Sequence, residues 1–410
     1  MRALIVGGGA AGLMAAGFAA ESGHAVTVIE RNPRPARKVM ITGKGRCNVT
    51  NNCSVDDCVA HIPRNGRFLY SALSALPPQE VMALVEAQGV PLKTERGGRV
   101  FPVSDKAVDV VDALVAFAKR RGVRFVQGRV TALHLTDGAC DGVTLEDGRT
   151  LVADAVAVCT GGLSYPVTGS TGDGYRLARQ AGHTVLPPHA SLIPLNCAEA
   201  DCAAMQGLSL KNVTLTAEDT ASGKRLYREL GEMLFTHFGV SGPLVLTASA
   251  HMDDASSGRY RLHIDLKPAL SPEQLDARLL RELAAERNRA MGNMLPALLP
   301  RSMVVPALAR AGIPPEKPCR DLSREERRRL AAVLKGWTLT VTGMRPVEEA
   351  IVTAGGVNVR EINARTMASK LVPGLYFAGE VLDVDGYTGG YNLQIAFATG
   401  AAAGRAIAAL

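Results

Sequence analysis

Several features are scarce or missing in this sequence. Aromatic residues make up only 4% of the chain, with a single Trp, so a surface that stacks nucleic-acid bases is not expected. No apolar run reaches about 18 residues, the length that marks a membrane-spanning helix. No block of like charges forms a basic or acidic tail. The eight cysteines include no Cys-x-x-Cys pair, and the two Cys-x4-Cys spacings are too loose to predict a zinc site.

Glycine and arginine, in contrast, are abundant. The 42 glycines among 410 residues predict many tight turns and close backbone approaches. Lys and Arg outnumber Asp and Glu by 46 to 39, and 35 of the 46 are Arg. These arginines are scattered along the sequence, so a nucleic-acid partner is not expected. Because no signal peptide and no disulfide framework are recognisable, we expect a cytoplasmic protein with no membrane association.

Residues 2–30 follow a strand–helix–strand pattern around a glycine fingerprint. A buried strand over 3–6 leads into Gly7-x-Gly9-x-x-Gly12, a helix follows, and a second strand over 25–29 ends at Glu30. In such a turn the glycines allow a tight bend, backbone approach to a pyrophosphate and close helix packing. An acid at the end of the second strand binds ribose hydroxyls, which disfavours NADP at this site. The pattern predicts a dinucleotide site but leaves NAD and FAD open.

The C-terminal region favours FAD. Gly379-Glu380-x-x-Asp383 follows a short apolar strand, and Gly389-Gly390-Tyr391-Asn392 opens a helix over 391–409. The amino end of that helix would supply N–H groups and positive dipole to the flavin N1–C2=O edge, where reduced flavin carries charge. A plain NAD dehydrogenase would not need it.

Two other polar segments are candidates for cofactor contacts. Thr160-Gly161-Gly162 follows a strand over 153–159 and suits the adenosine half, and Asp173 further on is predicted to cap a helix over 174–181. The segment 42–48, within a long predicted loop over 31–67, has basic and small residues suited to the diphosphate or flavin.

The motifs together resemble the YhiN-like, aminoacetone-oxidase-like family of bacterial FAD-binding proteins. The resemblance runs from Arg2 to about Gly404 and includes the sequences GGGAAGLMAA, TGKGRCNVTN, GGRVFP, CTGG, TGSTGDGY, LFTHFGVSGP, VTAGGV and GLYFAGEVLDVDGYTGGYNLQ. One departure is Ala364-Arg365-Thr366-Met367, where the family usually has Pro-Lys-Thr-Met. Since Arg keeps the charge of Lys, this change puts only the local loop shape in doubt.

The resemblance implies an α/β fold: a discontinuous Rossmann-like FAD-binding domain with an inserted β-rich domain and a small helical domain. The predicted boundaries are 1–189 and 346–410 for the FAD-binding domain, 190–270 for the β-rich domain, 271–335 for the helical insert and 336–345 for a return strand. Composition shifts near residues 190 and 346 support this division independently. Within the helical insert, Ser271-Pro272 and Ser323–Glu326 predict helix starts.

The cofactor-binding residues follow from the motifs and the resemblance. They are Gly7, Gly9, Ala10, Ala11, Gly12, Glu30, Arg31, Lys38, Thr42, Gly43, Gly45, Arg46, Cys47, Asn48, Val130, Thr160, Gly161, Gly162, Gly379, Glu380, Asp383, Gly390, Tyr391, Asn392 and Leu393.

Four side chains are candidates for catalysis: Tyr387, Tyr391, His237 and Arg46. For the two tyrosines a packing role is the alternative, and for His237 a place in the core. We expect an FAD-dependent oxidoreductase that transfers hydride at flavin N5 to or from a small organic substrate lying between the FAD domain and the insert. NADH, NADPH or oxygen would be the redox partner. The alternatives are an RNA-binding or RNA-modifying flavoprotein and a non-catalytic flavin-stabilised scaffold; the oligomeric state stays open.

Overall fold

The protein divides into two compact units in the structure, a computed structural model that describes residues 1–252 and 258–410. Unit 1 comprises Met1–Ser191 and Pro346–Leu410, and unit 2 comprises Leu192–Arg345. Each unit has its own cluster of buried apolar side chains. The part of the predicted β-rich domain at 253–257 lies outside the described residues.

Strands are numbered in chain order. Those of unit 1 are β1 (Arg2–Val6), β2 (Ala25–Glu30), β3 (Thr50–Asn51), β4 (Leu92–Thr94), β5 (Arg99–Pro102), β6 (Arg124–Gln127), β7 (Val130–Thr136), β8 (Ala139–Leu145), β9 (Thr150–Val152), β10 (Ala155–Val158), β11 (Val185–Ser191), β18 (Val352–Val357) and β19 (Leu375–Phe377). Those of unit 2 are β12 (Leu195–Cys197), β13 (Ser209–Asp219), β14 (Lys224–Thr236), β15 (Gly239–Ser241), β16 (Tyr260–Asp265) and β17 (Trp337–Met344).

Helices are numbered in the same way. Unit 1 contains α1 (Ala10–Ala19), α2 (Arg37–Ile41), α3 (Val55–Ala60), α4 (Tyr70–Ala75), α5 (Pro78–Ala87), α6 (Ala107–Lys119), α7 (Asp173–Gln180) and α14 (Tyr391–Ala408). Unit 2 contains α8 (Asp201–Ala204), α9 (Pro243–Ser249), α10 (Pro272–Ala285), α11 (Met291–Met294), α12 (Arg301–Ala311) and α13 (Arg324–Lys335).

A parallel five-stranded sheet forms the centre of unit 1. Its order is β19-β10-β1-β2-β6, and Ile5 of β1 pairs with Ala157 on one side and Val28 on the other. β10 is buried along its whole length, as expected for a parallel strand covered on both faces. The predicted Rossmann-like fold with an additional β-rich part and helices is confirmed.

Helices α1 and α14 approach each other closely because small residues lie between them. A Cβ on Gly400 or Gly404 would collide with the backbone carbonyl of Ala11 or Ala15, respectively. Only glycine therefore permits this contact.

Unit 2 contains a closed barrel of six strands in the order β12-β15-β14-β13-β16-β17. The helices α10 to α13 lie in the connection between β16 and β17, which are paired neighbours. In the sequence, unit 2 is inserted between β11 and β18 of unit 1, and these two strands also pair, with Ser191 opposite Val352. Both insertions thus interrupt an antiparallel pair.

The helix starts in unit 2 follow the sequence prediction. Ser271 and Ser323 each accept a backbone N–H three residues on, and Gln274 and Glu326 complete the capping boxes.

Two local predictions in unit 1 were wrong. The segment 31–67 is not a continuous loop, because it contains α2, β3 and α3, with Ser54 capping α3 through Asp57 N–H at 3.1 Å. Asp173 is not the cap of α7; Gly172, with φ of 77°, occupies that position. The Asp173 carboxylate binds Arg129 Nη2 instead, at 2.8 Å.

Candidate cofactor and active site

A large cavity opens at the carboxyl ends of the parallel strands in unit 1, where open α/β sheets bind their ligands. It encloses about 1320 Å³ including its open mouth. Fifteen of the predicted cofactor residues line it: Gly7, Gly9, Ala10, Ala11, Glu30, Arg31, Lys38, Thr42, Val130, Thr160, Gly161, Gly379, Glu380, Asn392 and Leu393.

The β1–α1 turn has the geometry that its three glycines predict. Gly7 has φ of +98°, and a Cβ there would lie 2.6 Å from the carbonyl oxygen of Cys159. A Cβ on Gly12 would collide with the Gly7 carbonyl, so Gly12 serves helix packing and does not line the cavity. At Gly9 a Cβ would meet no protein atom within 4 Å. The backbone at Gly9 is therefore open for close approach by a ligand.

Glu30 ties this turn to the second strand. Its Oε2 accepts the Gly8 N–H at 2.7 Å, and its Oε1 accepts the Asn32 N–H at 2.8 Å. Oε1 also accepts Asn32 Nδ2 at 2.8 Å, whereas Oε2 accepts only the Gly8 N–H among the described residues. Oε2 can therefore accept a second hydrogen bond, from a ribose hydroxyl.

The amino ends of α1 and α14 both open into this cavity. Ala10 and Ala11 lie in the first turn of α1, Asn392 and Leu393 in the first turn of α14, and all four line the cavity. First-turn N–H groups have no acceptor inside their helix and carry the positive end of its dipole. The cavity can thus stabilise negative charge at two separate places.

Comparison with known proteins decides the family. The profile of the family described as HI0933-like protein Rossmann domain matches residues 1–406. The chain belongs to the HI0933-like family. The resemblance inferred from the motifs is confirmed, and the chain is a member of an FAD-dependent oxidoreductase family.

Two named relatives align with nearly the whole chain. The "Ribosomal RNA dihydrouridine synthase" of Escherichia coli strain K12 is 33% identical over 399 residues, which are 97% of this chain and 95% of that protein. The "3-dehydro-bile acid delta(4,6)-reductase" of Clostridium scindens is 32% identical over 419 residues, which are 98% of each chain.

Among solved structures, the 3-ketosteroid delta1-dehydrogenase of Sterolibacterium denitrificans superposes with a TM-score of 0.52 and 14% identity, over 99% of both chains. The 3-ketosteroid-delta4-(5alpha)-dehydrogenase of Rhodococcus jostii RHA1 gives 0.51 and 16%, over 99% of this chain and 96% of that one. At this identity the likeness concerns the fold alone.

The cavity of this HI0933-like chain fits FAD. The open backbone at Gly9 leaves space that a side chain would fill, as a pyrophosphate requires. The buried hydroxyl of Thr160, which also lines the cavity, has no hydrogen-bond partner in the parts of the chain that the structure describes. A ligand would satisfy such a group. The α14 amino end suits the flavin edge that becomes negative on reduction.

A charged network lies on the cavity wall. Lys38 Nζ donates to Glu380 Oε2 and to Ser164 Oγ, each at 2.6 Å. Ser164 Oγ and the Thr353 N–H donate to the other Glu380 oxygen, both at 2.9 Å. Lys38 and Glu380 were predicted from sequence, whereas Ser164 and Thr353 were not. Thr353 lies in VTAGGV, one of the quoted motifs, so that motif was the available signal.

The segment 42–48 contributes less to the cavity than predicted, since only Thr42 lines it. The Arg46 guanidinium is bound by Glu95 and Asp105 and stacks on the Phe101 ring, 4.1 Å from its centre. Cys47 is fully buried, and burial raises the pKa of its thiol to about 12, so it is neutral. Gly43, Gly45 and Asn48 are likewise outside the lining, although the Asn48 Oδ1 atom is buried with no partner among residues 1–252 and 258–410.

The two candidate tyrosines lie beside His61. The Tyr391 ring stacks on His61 at 4.6 Å between centres and is 5% exposed, while Tyr387 meets His61 edge-on at 5.6 Å and is half-buried. Gly390 lies between them in the sequence and is the cap of α14, with φ of +102°. Sequence reasoning missed His61, whose separation from residue 387 hides the contact.

Near these tyrosines lies a buried acidic pair. Asp385 is fully buried, and burial raises the pKa of its carboxyl; it accepts the Ser191 hydroxyl at 2.6 Å and Arg64 Nε at 3.2 Å. The predicted Asp383 does not line the cavity, and its carboxylate accepts Asn65 Nδ2 at 2.8 Å. Gly162 is also behind the wall, since a Cβ there would approach Thr353.

His237 belongs to a different unit from the other three catalytic candidates. It lies in unit 2, on the exposed turn between β14 and β15, with its ring against Phe238 at 5.0 Å. No group of three or more metal-ligating side chains occurs among the residues with described positions. Within that same part of the chain, no helix is both long and apolar enough to cross a membrane.

Proposed function

We propose that this protein reduces a carbon–carbon double bond conjugated to a carbonyl group, and that its substrate is uridine within ribosomal RNA. The observation that carries the proposal is the 33% identity to the E. coli ribosomal RNA dihydrouridine synthase over 97% of this chain. A protein of the same name in Haemophilus influenzae matches equally, at 33% over 402 residues.

The names of the relatives describe one chemistry. Making dihydrouridine adds two hydrogens across the C5=C6 bond of uracil, which is conjugated to the C4 carbonyl. A delta(4,6)-reductase of a 3-dehydro-bile acid acts on double bonds conjugated to the C3 ketone. In both cases a hydride goes to the alkene carbon farther from the carbonyl, a proton goes to the nearer carbon, and the C=C π bond is lost. When bound, FAD supplies that hydride from N5.

The chain's own groups bind and orient in this scheme. The α1 amino end and Gly9 hold the pyrophosphate, Glu30 the adenosine ribose, and the α14 amino end the charged edge of the ring. We assign proton transfer to the Tyr387 hydroxyl. Tyr387 is half-buried and does not itself line the cavity, but its backbone carbonyl accepts Nδ2 of Asn392, which does, at 3.3 Å. Tyr391, stacked and 5% exposed, is assigned to packing.

A reduction needs an electron donor, and we propose NADH or NADPH. Only one dinucleotide fingerprint is present in the sequence, so the nicotinamide would bind transiently. The overall balance is one NAD(P)H and one proton consumed for each uridine reduced. Since ribosomal RNA is the substrate, the protein would act in the cytoplasm.

The test begins with the purified protein's absorbance spectrum. Flavin bands at about 375 and 450 nm are expected. Anaerobic NADH or NADPH should bleach the 450 nm band, and ribosomal RNA transcribed in vitro, which contains no dihydrouridine, should restore it. Nuclease digestion and mass spectrometry should then find dihydrouridine.

Other outcomes contradict parts of this proposal. A flavin that is reoxidised by an unsaturated steroid ketone but not by RNA would make the protein a small-molecule reductase. Reoxidation by oxygen alone would make it an oxidase. A colourless protein that FAD does not reconstitute would contradict the cofactor site.

A further inference from the structure

The excess of positive charge is concentrated in the helical segment of unit 2. Residues 271–335 contain 13 Lys and Arg against 8 Asp and Glu, whereas the whole chain has 46 against 39. Five of the seven excess charges therefore lie in this one segment. It contains no Phe, Tyr or Trp.

Contacts between α10 and α13 bring arginines of this segment together. Arg327 Nε donates to Asp276 Oδ1 at 2.7 Å, and Arg320 Nη1 donates to Asn288 Oδ1 at 2.7 Å. Since 276 pairs with 327 and 288 with 320, the two stretches run antiparallel, and the end of α10 lies beside the start of α13. The Arg320 N–H also donates to the carbonyl of Arg287, at 3.0 Å.

Asp276 shows how many guanidinium groups share this face. The hydrogen bond from Arg327 lowers the pKa of Asp276, and Arg328 and Arg324 lower it further. One carboxylate thus faces three arginines. We call Arg287, Arg320, Arg324, Arg327 and Arg328 the arginine face.

Most of this positive charge is uncompensated. Arg287, Arg324 and Arg328 are exposed and form no ion pair with any residue that the structure describes. Asp276 is occupied by Arg327, and Glu325 is 3.5 Å from Arg329 on another side of α13. Arg320 is 3.7 Å from Asp321, a pair that is more than half exposed and therefore weak.

We propose that the arginine face binds the phosphate backbone of the RNA substrate, an inference that rests on the proposed function. Guanidinium groups match phosphate oxygens in charge and in bidentate geometry. Because the segment has no aromatic side chain for base stacking, the face would position RNA without reading its sequence. An anionic membrane surface is the other partner with this charge, and the test separates the two.

The decisive variant is the double substitution Arg324→Gln, Arg328→Gln. Its matched control is Arg225→Gln, Arg228→Gln, which removes two exposed arginines from β14 of the same unit. Binding of ribosomal RNA transcribed in vitro is measured by filter retention over a range of NaCl concentrations. Bound flavin and melting temperature report whether each variant is folded.

The α13 variant should bind RNA about tenfold more weakly than wild type. The slope of log affinity against log salt should become shallower by about 1.5, since each lost phosphate contact contributes about 0.7–0.9. Its KM for RNA in uridine reduction should rise while kcat stays unchanged. The β14 variant should match the wild-type protein in RNA affinity, salt dependence, KM and kcat.

The outcomes that overturn the inference are distinct from failure of the proposed function. If both variants bind RNA equally while wild type still makes dihydrouridine, the arginine face is not the docking surface. If the α13 variant loses binding to phosphatidylserine vesicles but not to RNA, the face binds membranes. If the wild-type protein makes no dihydrouridine and binds no RNA, the proposed function is wrong. The inference is then overturned with it, because the arginine face has no RNA to bind.

Discussion

The flavin cavity of unit 1 and the arginine face of unit 2 both present positive charge, but the cavity does so through backbone groups and the arginine face through side chains. The cavity presents backbone N–H groups at two helix amino ends, made accessible by glycines such as Gly9. The arginine face presents long side chains from α13 and from the chain just after α10 and just before α13. A backbone site needs glycine at fixed spacings and leaves a pattern in the sequence. A side-chain surface depends on which helices meet, and its residues look scattered until the fold is known.

The two units also differ in how their cores are built. In unit 1, close contacts between α1 and α14 depend on absent side chains at Gly400 and Gly404. In unit 2 the barrel and helices pack around large side chains, with Trp337 fully buried under the Arg310 guanidinium, 4.2 Å from the ring centre. Mutations that remove atoms from its core should therefore destabilise unit 2, and mutations that add atoms at the α1–α14 contact should destabilise unit 1.

The largest expected effect is that of Trp337→Ala. Truncating this buried ring should lower the free energy of unfolding of unit 2 by about 3–5 kcal/mol, through lost burial and the cavity left behind. Urea unfolding followed by far-ultraviolet circular dichroism would measure the loss, with Trp337→Phe as a milder control. FAD affinity should stay unchanged. A parallel loss of bound flavin would contradict the contrast between the two units, because the cavity would then depend on the barrel core.

The second-largest effect is expected for Gly9→Val, which adds a side chain at a position with no protein atom within 4 Å of the new Cβ. Its φ of −79° and ψ of −170° suit valine, so the fold should persist while FAD affinity falls about a hundredfold, or about 2.7 kcal/mol. Flavin titration and thermal melting would test both parts. Gly400→Ala is the contrasting variant, and it should lower the melting temperature because its Cβ collides with Ala11. A Gly9→Val protein that binds FAD normally would contradict the pyrophosphate assignment.

The smallest effect is expected at Glu326 in the capping box of α13. Lys317 and the Ser323 N–H lower the pKa of Glu326 to about 2, so its charge stabilises the folded state above its ordinary range near pH 4.5. This contribution is lost as pH falls from there towards about 2. Glu326→Gln should therefore cost about 1 kcal/mol at pH 7 and less than half of that at pH 3, by urea unfolding. An equal difference at both pH values would show that charge plays no part in this cap.

Local patterns in the sequence predicted much of the framework. The β1–α1–β2 unit, the capped starts of α10 and α13 and the C-terminal helix all follow from residues within a few positions of one another. Contacts between distant residues did not follow: Lys38 and Glu380 are 342 positions apart, so their pairing needed the sheet order.

Arg46 shows why the contacts of a single side chain could not be predicted from the sequence. Its basic character within a glycine-rich segment predicted a cofactor or catalytic contact. Its guanidinium is bound instead by Glu95 and Asp105, which are 49 and 59 positions away, and no local pattern in the sequence indicates this. The catalytic assignment of Tyr387 stays a prediction.

Both insertions in this chain start and finish at neighbouring positions of a strand pair, Ser191 with Val352 and Ile264 with Trp337. Such an anchorage makes the length between the two ends almost irrelevant to stability, because each doubling of a loop adds only about 0.6 kcal/mol of closure entropy. Descendants of such a chain can enlarge, shorten or exchange the inserted part while the strands that close it stay in register. Evolution can thus change the inserted unit without rebuilding the parallel sheet and the glycine turn of the cofactor cavity.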